Sequence, residues 1–283
     1  MRKIRSDRSP LSRVIRLLQI IFLVVMFLVV VIPFLWMLIT SLMPDSKSLL
    51  VRPFKLPWPP SFSNYLDAIN AQPFFTYVLN SILTSTLATL GAVLTAALAG
   101  YAFVYLRFPC KNLLFTLVLA VLMMPTQVSI ISQYVTISNL DWMDTYAALI
   151  IPFVADAYGI YLIKQSFESI PMDFIEAAKL EGAGHGTILF RVLIHLAKPS
   201  LITFAMMSFK WRWNDYFWVL MMTSSKNMRT LPVGLAMLRN EDSGSNWQIV
   251  MAATMLVILP VIIFHLLAQK WLNNDSLAGG IKG

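Results

Sequence analysis

The apolar residues of this chain fall in stretches rather than in alternation with polar ones. Six runs, near residues 17–40, 80–105, 113–132, 146–163, 201–222 and 249–272, hold mostly apolar side chains. Each is about 20 residues, the length a helix needs to cross a hydrocarbon core of roughly 30 Å. The pattern predicts an all-α, polytopic membrane protein with six transmembrane helices, and an even number of crossings puts both termini on one side. Between the fourth and fifth runs, residues 164–199 are polar and long for a connector. Within them Ser169 precedes Pro171 at a helix start, where a missing N–H costs little, and Asp173 suits the first turn. Gly182 and Gly184 end that helix, and Thr187 is a candidate N-cap for a second one reaching residue 196. Ala177 and Ala178 leave a shallow surface through which another protein could approach, with Phe174 and Leu180 adding apolar contact. Small residues on a helix are also often mere packing, so the pattern leaves both readings open.

Composition agrees with the runs: 58% of the 283 residues are hydrophobic, 13% are charged and the mean hydropathy is +0.69. A soluble domain has about 45–50% apolar and about 25% charged residues. The first run follows a basic leader. It is longer than the roughly 7–15 apolar residues of a signal peptide and no small-x-small pattern follows, so it is read as retained. The single cysteine, Cys110, has no partner for an intramolecular disulfide.

Basic residues set the orientation, because Lys and Arg accumulate in cytoplasmic segments. Arg2, Lys3, Arg5, Arg8, Arg13, Arg16, Arg107, Lys111, Lys164, Lys179, Arg191, Lys198, Lys270 and Lys282 fall on the side of the termini; Lys47, Arg52, Lys55, Lys226, Arg229 and Arg239 fall on the other. Both termini and the 164–199 loop are therefore expected in the cytoplasm. The predicted organisation is a basic cytoplasmic N-terminus (1–16), a six-helix transmembrane domain (17–272) containing the cytoplasmic loop 164–199, and a cytoplasmic tail (273–283). The net charge of +8 follows from this topology and suits anionic membrane lipids; with no soluble basic domain, no nucleic-acid partner is expected. Residues 42–75, with six prolines, Trp58 and Tyr65, read as an irregular connector or lid at the interface, and residues 223–247 are polar enough to meet a soluble partner.

The segment Glu176-Ala177-Ala178-Lys179-Leu180-Glu181-Gly182 has the form Glu-Ala-Ala-x-x-x-Gly, and in that position it resembles the coupling motif of permease subunits in bacterial ATP-binding-cassette importers. Tyr101-Ala102-Phe103, Arg107-Phe108-Pro109, Met124-Pro125, Trp213-Asn214-Asp215, Leu231-Pro232-Val233-Gly234-Leu235 and Gly279-Gly280-Ile281-Lys282-Gly283 resemble, in order, the MalG-type subunit of carbohydrate importers. The resemblance implies a permease of the bacterial inner membrane that forms a heterodimer with a second, related permease. It also implies a dimer of cytoplasmic ATPases and an extracytoplasmic solute-binding protein as partners. Glu176, Ala177, Ala178, Leu180 and Gly182 would dock on the ATPase, and Lys282 and Gly283 would reach between the two ATPases unless the tail is a disordered end. Two departures stand out. Ile194-His195-Leu196 replaces the family's Leu-Pro-Leu, so the kink there is expected to be missing, and Glu181 replaces the usual Asp with its charge preserved.

No catalytic or metal site is expected on this chain. It has no G-x-x-x-x-G-K-[ST] loop, so ATP and Mg are bound by the partner ATPase. His185, His195 and His265 form no zinc motif with Cys110. What needs explaining is the fifth run, where Lys210, Trp211, Arg212, Trp213, Asn214, Asp215 and Tyr216 follow one another, and Asp156 in the fourth run. Counted from Pro199 at about 1.5 Å per residue, Lys210 lies roughly 16 Å deep, where charges rarely face lipid. Either Asp156 and Asp215 neutralise Lys210 and Arg212 within the packed helices, or these groups line the translocation path. In the second case the aromatic faces would stack on sugar rings and the cations would attract a carboxylate or phosphate. That reading favours an acidic saccharide of the alginate type; sn-glycerol-3-phosphate, polyols and neutral oligosaccharides are the alternatives. Intramembrane Asp and Lys would also suit an ion-driven secondary transporter.

Overall fold

A computed structural model describes residues 10–44, 57–241 and 246–279. The expected tail contacts Lys282 and Gly283, residues 1–9 of the basic N-terminus and residues 45–56 of the proline-rich stretch lie outside the described residues. Among the described residues the regular structure is entirely helical: α1 Pro10–Ser41, α2 Ser63–Ala71, α3 Phe74–Tyr105, α4 Lys111–Leu122, α5 Thr126–Asn139, α6 Tyr146–Ile150, α7 Ala157–Glu168, α8 Asp173–Leu180, α9 His185–Leu196, α10 Lys198–Trp213, α11 Phe217–Met222, α12 Leu231–Glu241 and α13 Trp247–Gly279.

The chain divides into two compact units, Met1–Asn70 with Glu241–Leu256 and Ala71–Asn240 with Val257–Gly283. In the first, α1 offers apolar side chains outward along its length, Phe22 and Leu23 being about two-thirds exposed. The connector after it is not wholly irregular, as the prolines suggested, because α2 forms within it. Buried Asn64 donates both amide protons to the carbonyls of Ser41 and Met43 at 2.8 Å, and the Tyr65 hydroxyl bonds Ser41 Oγ at 2.7 Å. The carbonyls left open at the end of α1 thus find side-chain donors.

The second unit is built around α3. Its buried residues Ser81, Ser85, Ala88, Ala92, Ala96 and Gly100 recur every three or four positions and are all small. Because lipid gives helices no hydrophobic reason to associate, such a stripe is what lets backbones approach and gain dispersion contacts. α7 and α10 pack along it; a Cβ on Gly100 would sit 3.2 Å from the backbone nitrogen of Lys164. Elsewhere aromatic rings fill glycine notches. Phe204 of α10, fully buried, lies against Gly159, where a Cβ would come within 2.1 Å of its ring, and Tyr77 fills Gly234 in the same way at 2.3 Å.

Three of the six expected spans are not single helices. The run 113–132 splits at Pro125, which lacks an N–H and disfavours helical backbone in Met124 before it, giving α4 and α5. The run 146–163 is α6, a 3₁₀ turn Ile151–Phe153 and α7, which reaches Glu168. The run 201–222 breaks between α10 and α11. Among the described residues, four helical stretches suffice by length and apolar content to cross a membrane, Val14–Ser41, Phe74–Tyr105, Tyr146–Glu168 and Trp247–Leu266. A fifth is added if α9 and α10, bent by 81°, count together.

At the starting end of α3 the loops are fastened by polar side chains. Fully buried Asn80 donates to the carbonyls of Asn227 and Arg229 at 2.8 and 2.9 Å and accepts from the Tyr146 hydroxyl at 2.6 Å. The N–H of Leu231 donates to Ser81 Oγ at 2.9 Å. Asp144, at φ 60°, accepts from the amides of Ser224 and Ser225, each at 3.0 Å. Desolvation pushes its carboxyl up, but the Ser225 and Ser224 hydrogen bonds and the nearby Arg229 charge outweigh it, and the net shift is below the usual carboxylate range. This clasp is therefore in place above the ordinary carboxylate pKa and is lost as pH falls through the depressed folded value. Overpacking a notch tests the close approach: Gly159→Ala should lower the midpoint of thermal unfolding in detergent by an amount corresponding to about 1–3 kcal/mol. Adding Phe204→Leu should recover part of that loss, and an unchanged midpoint in the single variant would contradict tight packing there.

Candidate functional site

Two arrangements bring together the residues singled out by sequence. The first is the segment of α8 and α9. α8 has one buried residue, Ile175, only 1% exposed, which joins Phe167, Ile163, Ile188 and Leu193 in the main apolar cluster. Positions 173, 176, 177 and 180 lie on the opposite face, where Asp173, Glu176 and Ala177 are exposed and Leu180 is 91% exposed. Ala178 differs from its neighbour: it is half-buried against the cluster, so only Ala177 belongs to the open surface. The helix ends as glycine dictates. Gly182 has φ 81°, its N–H donates to the Lys179 carbonyl, and the N–H of Ala183 donates to that of Ala178, both at 3.0 Å, which is the Schellman pattern.

α9 begins at His185 after Gly184, so Thr187 lies inside the helix and does not cap it. Residues Ile188–Leu193 form π-helix. The kink expected to be missing at Ile194-His195-Leu196 is present: α9 and α10 meet at 81°, two residues after His195. Pro199, three positions beyond Leu196, stands in the first turn of α10, where its absent N–H would have had no partner.

The second arrangement joins two helix breaks. The break before α7 is made by Pro152 and by Asp156, whose Oδ1 accepts from the Gly159 N–H at 2.7 Å as the N-cap of α7. The break after α10 carries Asn214, whose amide donates to the Lys210 carbonyl, and Asp215, whose Oδ1 accepts from the Trp218 N–H at 3.2 Å. Arg212 lies between the two breaks. Its guanidinium bonds Asp215 Oδ2 at 3.0 Å and stands 3.7 Å over the Phe153 ring. Phe153 in turn meets Trp218 edge-on at 5.3 Å, and Tyr158 meets Trp211 at 6.1 Å. Arg212 and Asp215 are each about one-fifth exposed, so the pair is partly buried and closes on itself.

The sequence-selected residues therefore separate. Asp156 makes no direct ion pair among the described residues. Lys210, exposed, likewise has no ion pair among them, while Trp211, Asn214 and Tyr216 are exposed around it. Trp213 turns the other way, 2% exposed, stacked on Phe209 in a cluster with Tyr77 and Leu231. Phe153, Tyr158 and Trp218 were missed; the signal for them was the pair of breaks, legible in Pro152 and in Asp156 with Gly159 three residues on.

Residues 91–275 match the family described as binding-protein-dependent transport system inner membrane component. The chain is similar to the sn-glycerol-3-phosphate transport system permease protein of Pectobacterium atrosepticum, 35% identical over 71% of this chain and 72% of that one. It is also similar to the arabinooligosaccharides transport system permease protein of Bacillus subtilis, 29% identical over 97% and 99%. Among solved structures it resembles a chain in a bacterial ABC transporter involved in the import of the acidic polysaccharide alginate, with a TM-score of 0.82, 25% identity, and coverage of 93% of this chain and 98% of that one.

Removing one member of the Arg212–Asp215 pair leaves a partly buried charge, so Arg212→Gln and Asp215→Asn should each destabilise the detergent-solubilised protein, by about 1–3 kcal/mol after allowance for solvent. The double substitution should cost less than the sum of the two. Additive losses in thermal unfolding would show that the pair does not hold the break together.

Proposed function

The chain belongs to the family of binding-protein-dependent transport system inner membrane components, and from that membership we propose that it is the permease subunit of an ATP-binding-cassette importer for saccharides. It forms half of the pathway with a second permease, receives cargo from an extracytoplasmic binding protein, and docks α8 on a cytoplasmic ATPase that binds ATP and Mg. The observation that carries this reading is the outward face of α8. A helix with a single buried anchor, ended by a left-handed glycine, presents Asp173, Glu176, Ala177 and almost fully exposed Leu180 away from the chain's own core. With both termini cytoplasmic, as the basic residues favour, α8 lies on the ATPase side.

The cargo we favour is acidic. Lys210 is a cation on an exposed helix face, and a charge at that depth is expensive unless water, substrate or another subunit covers it. Arg212 is already committed to Asp215, which leaves Lys210 as the group able to meet a carboxylate or phosphate, with Trp211 beside it for stacking. The sn-glycerol-3-phosphate relative and the alginate importer both handle anions by their names, which supports the same choice.

Both halves are testable in the assembled importer. Leu180→Asp changes only an exposed side chain and should abolish co-purification of the ATPase, as should Gly182→Val, which forces a β-branched residue into left-handed backbone at a cost of about 1–2 kcal/mol; full retention in both variants would end the docking assignment. In proteoliposomes, Lys210→Gln should reduce uptake of an oligouronate or sn-glycerol-3-phosphate about tenfold or more and leave neutral arabino-oligosaccharides nearly unaffected. Equal losses for both kinds of cargo would make Lys210 a structural residue.

A further inference from the structure

The α8–α9 segment is seated mainly by apolar contacts: Ile175, Ile188, Leu189 and Leu193 lie in the same cluster as Ala96, Ala97 and Phe167. Such contacts resist separation but define register poorly, since burial is non-directional. The turn that joins its halves adds little restraint. A Cβ placed on Gly182, Gly184 or Gly186 would meet nothing within 4 Å, so at these three positions no neighbour limits the turn, and only Ala183 between them rests against the apolar cluster.

One polar contact stands at that point. The Tyr101 hydroxyl of α3 and His185 Nδ1 share a hydrogen bond of 2.6 Å, with the rings edge-on at 6.0 Å. Among the described residues it is the one side-chain hydrogen bond or ion pair between residues 171–197 and a helix outside that segment. Tyr101 is itself held, 7% exposed, with its ring 5.5 Å from that of Tyr105, whose hydroxyl donates to the Phe167 carbonyl near the end of α7 at 3.0 Å. The series His185, Tyr101, Tyr105, Phe167 therefore runs from the glycine turn to α3 and on to α7.

We propose that Tyr101 and His185 are positioning residues for energy coupling: their hydrogen bond pins the glycine turn to α3, so that displacement of α8 by a partner moves α3 with it instead of being absorbed by rotation about the glycines. This rests on the docking of α8 on an ATPase proposed above. A hydrogen bond is the suitable device because it is directional and short, and it fixes one register where apolar contacts tolerate several.

The importer, assembled with its second permease and ATPases in a Cys110→Ser background, allows a direct test by spin labels at Lys179→Cys, an exposed position of α8 outside the docking face, and Leu98→Cys, an exposed position of α3. With Tyr101 and His185 intact, the interlabel distance distribution should be narrow and the same before and after trapping with ATP and vanadate. Tyr101→Phe, which removes one oxygen, and His185→Ala should each shift or widen it on trapping, and the double variant should do no worse than either. His185→Asn, which keeps an acceptor where Nδ1 stood, should restore the narrow distribution. Unchanged distributions in both Tyr101→Phe and His185→Ala would overturn the proposal. Failure of the ATPase to assemble with the chain when both residues are intact would instead overturn the docking on which it rests.

Discussion

The second unit depends on how closely other helices approach α3. In lipid the gain from bringing two helices together comes from dispersion and from hydrogen bonds, and both fall steeply with distance. The alanine, serine and glycine stripe of α3 removes the side chains that would hold α7 and α10 off. Once the backbones are close, weaker groups become useful: the Thr89 hydroxyl reaches Ser208, and the Thr95 hydroxyl reaches the Val154 carbonyl in the broken stretch before α7. That second bond matters because a break frees carbonyls that water cannot reach and that must find donors elsewhere. The stripe and the break before α7 are thus one design, since there the neighbour that repairs the interruption is α3 itself.

The same logic accounts for the charged residues. Asp156 and Asp215 both accept N–H groups at interrupted helix starts, which gives each carboxylate a backbone role whatever else it meets. Arg212 then closes on Asp215 and spreads its face over Phe153, satisfying its charge and its flat surface together. Lys210 has no such enclosure, and the difference between two cations two residues apart is the basis for assigning them different work.

Much of this was legible in the sequence, for definable reasons. Helical class and membrane residence follow from average hydropathy, which needs no tertiary information. The α8 helix is bounded by Pro171, Asp173 and Gly182, whose preferences are local, and it appears at Asp173–Leu180. Hydropathy is blind to interruptions, so Pro125, Pro152 and the Asn214–Asp215 pair were averaged into continuous runs. The kink after His195 was looked for at one position in the sequence, yet a proline three residues beyond Leu196 serves the same geometry. Which way Trp213 turns, and that Ala178 faces inward while Ala177 does not, depends on the packing of α3, which no local pattern reports.

The fastening at Asn80 has a mechanical meaning. A single amide holds two loop carbonyls and a tyrosine from α6, so the loop before α12 and the start of α6 share one anchor on α3. With Asp144 gripping Ser224 and Ser225 from the other side, this end of the unit has little freedom to flap. Any opening there must come from the tilting of whole helices, and the loops then travel as a stiff collar, with its aperture set by the angle of α3.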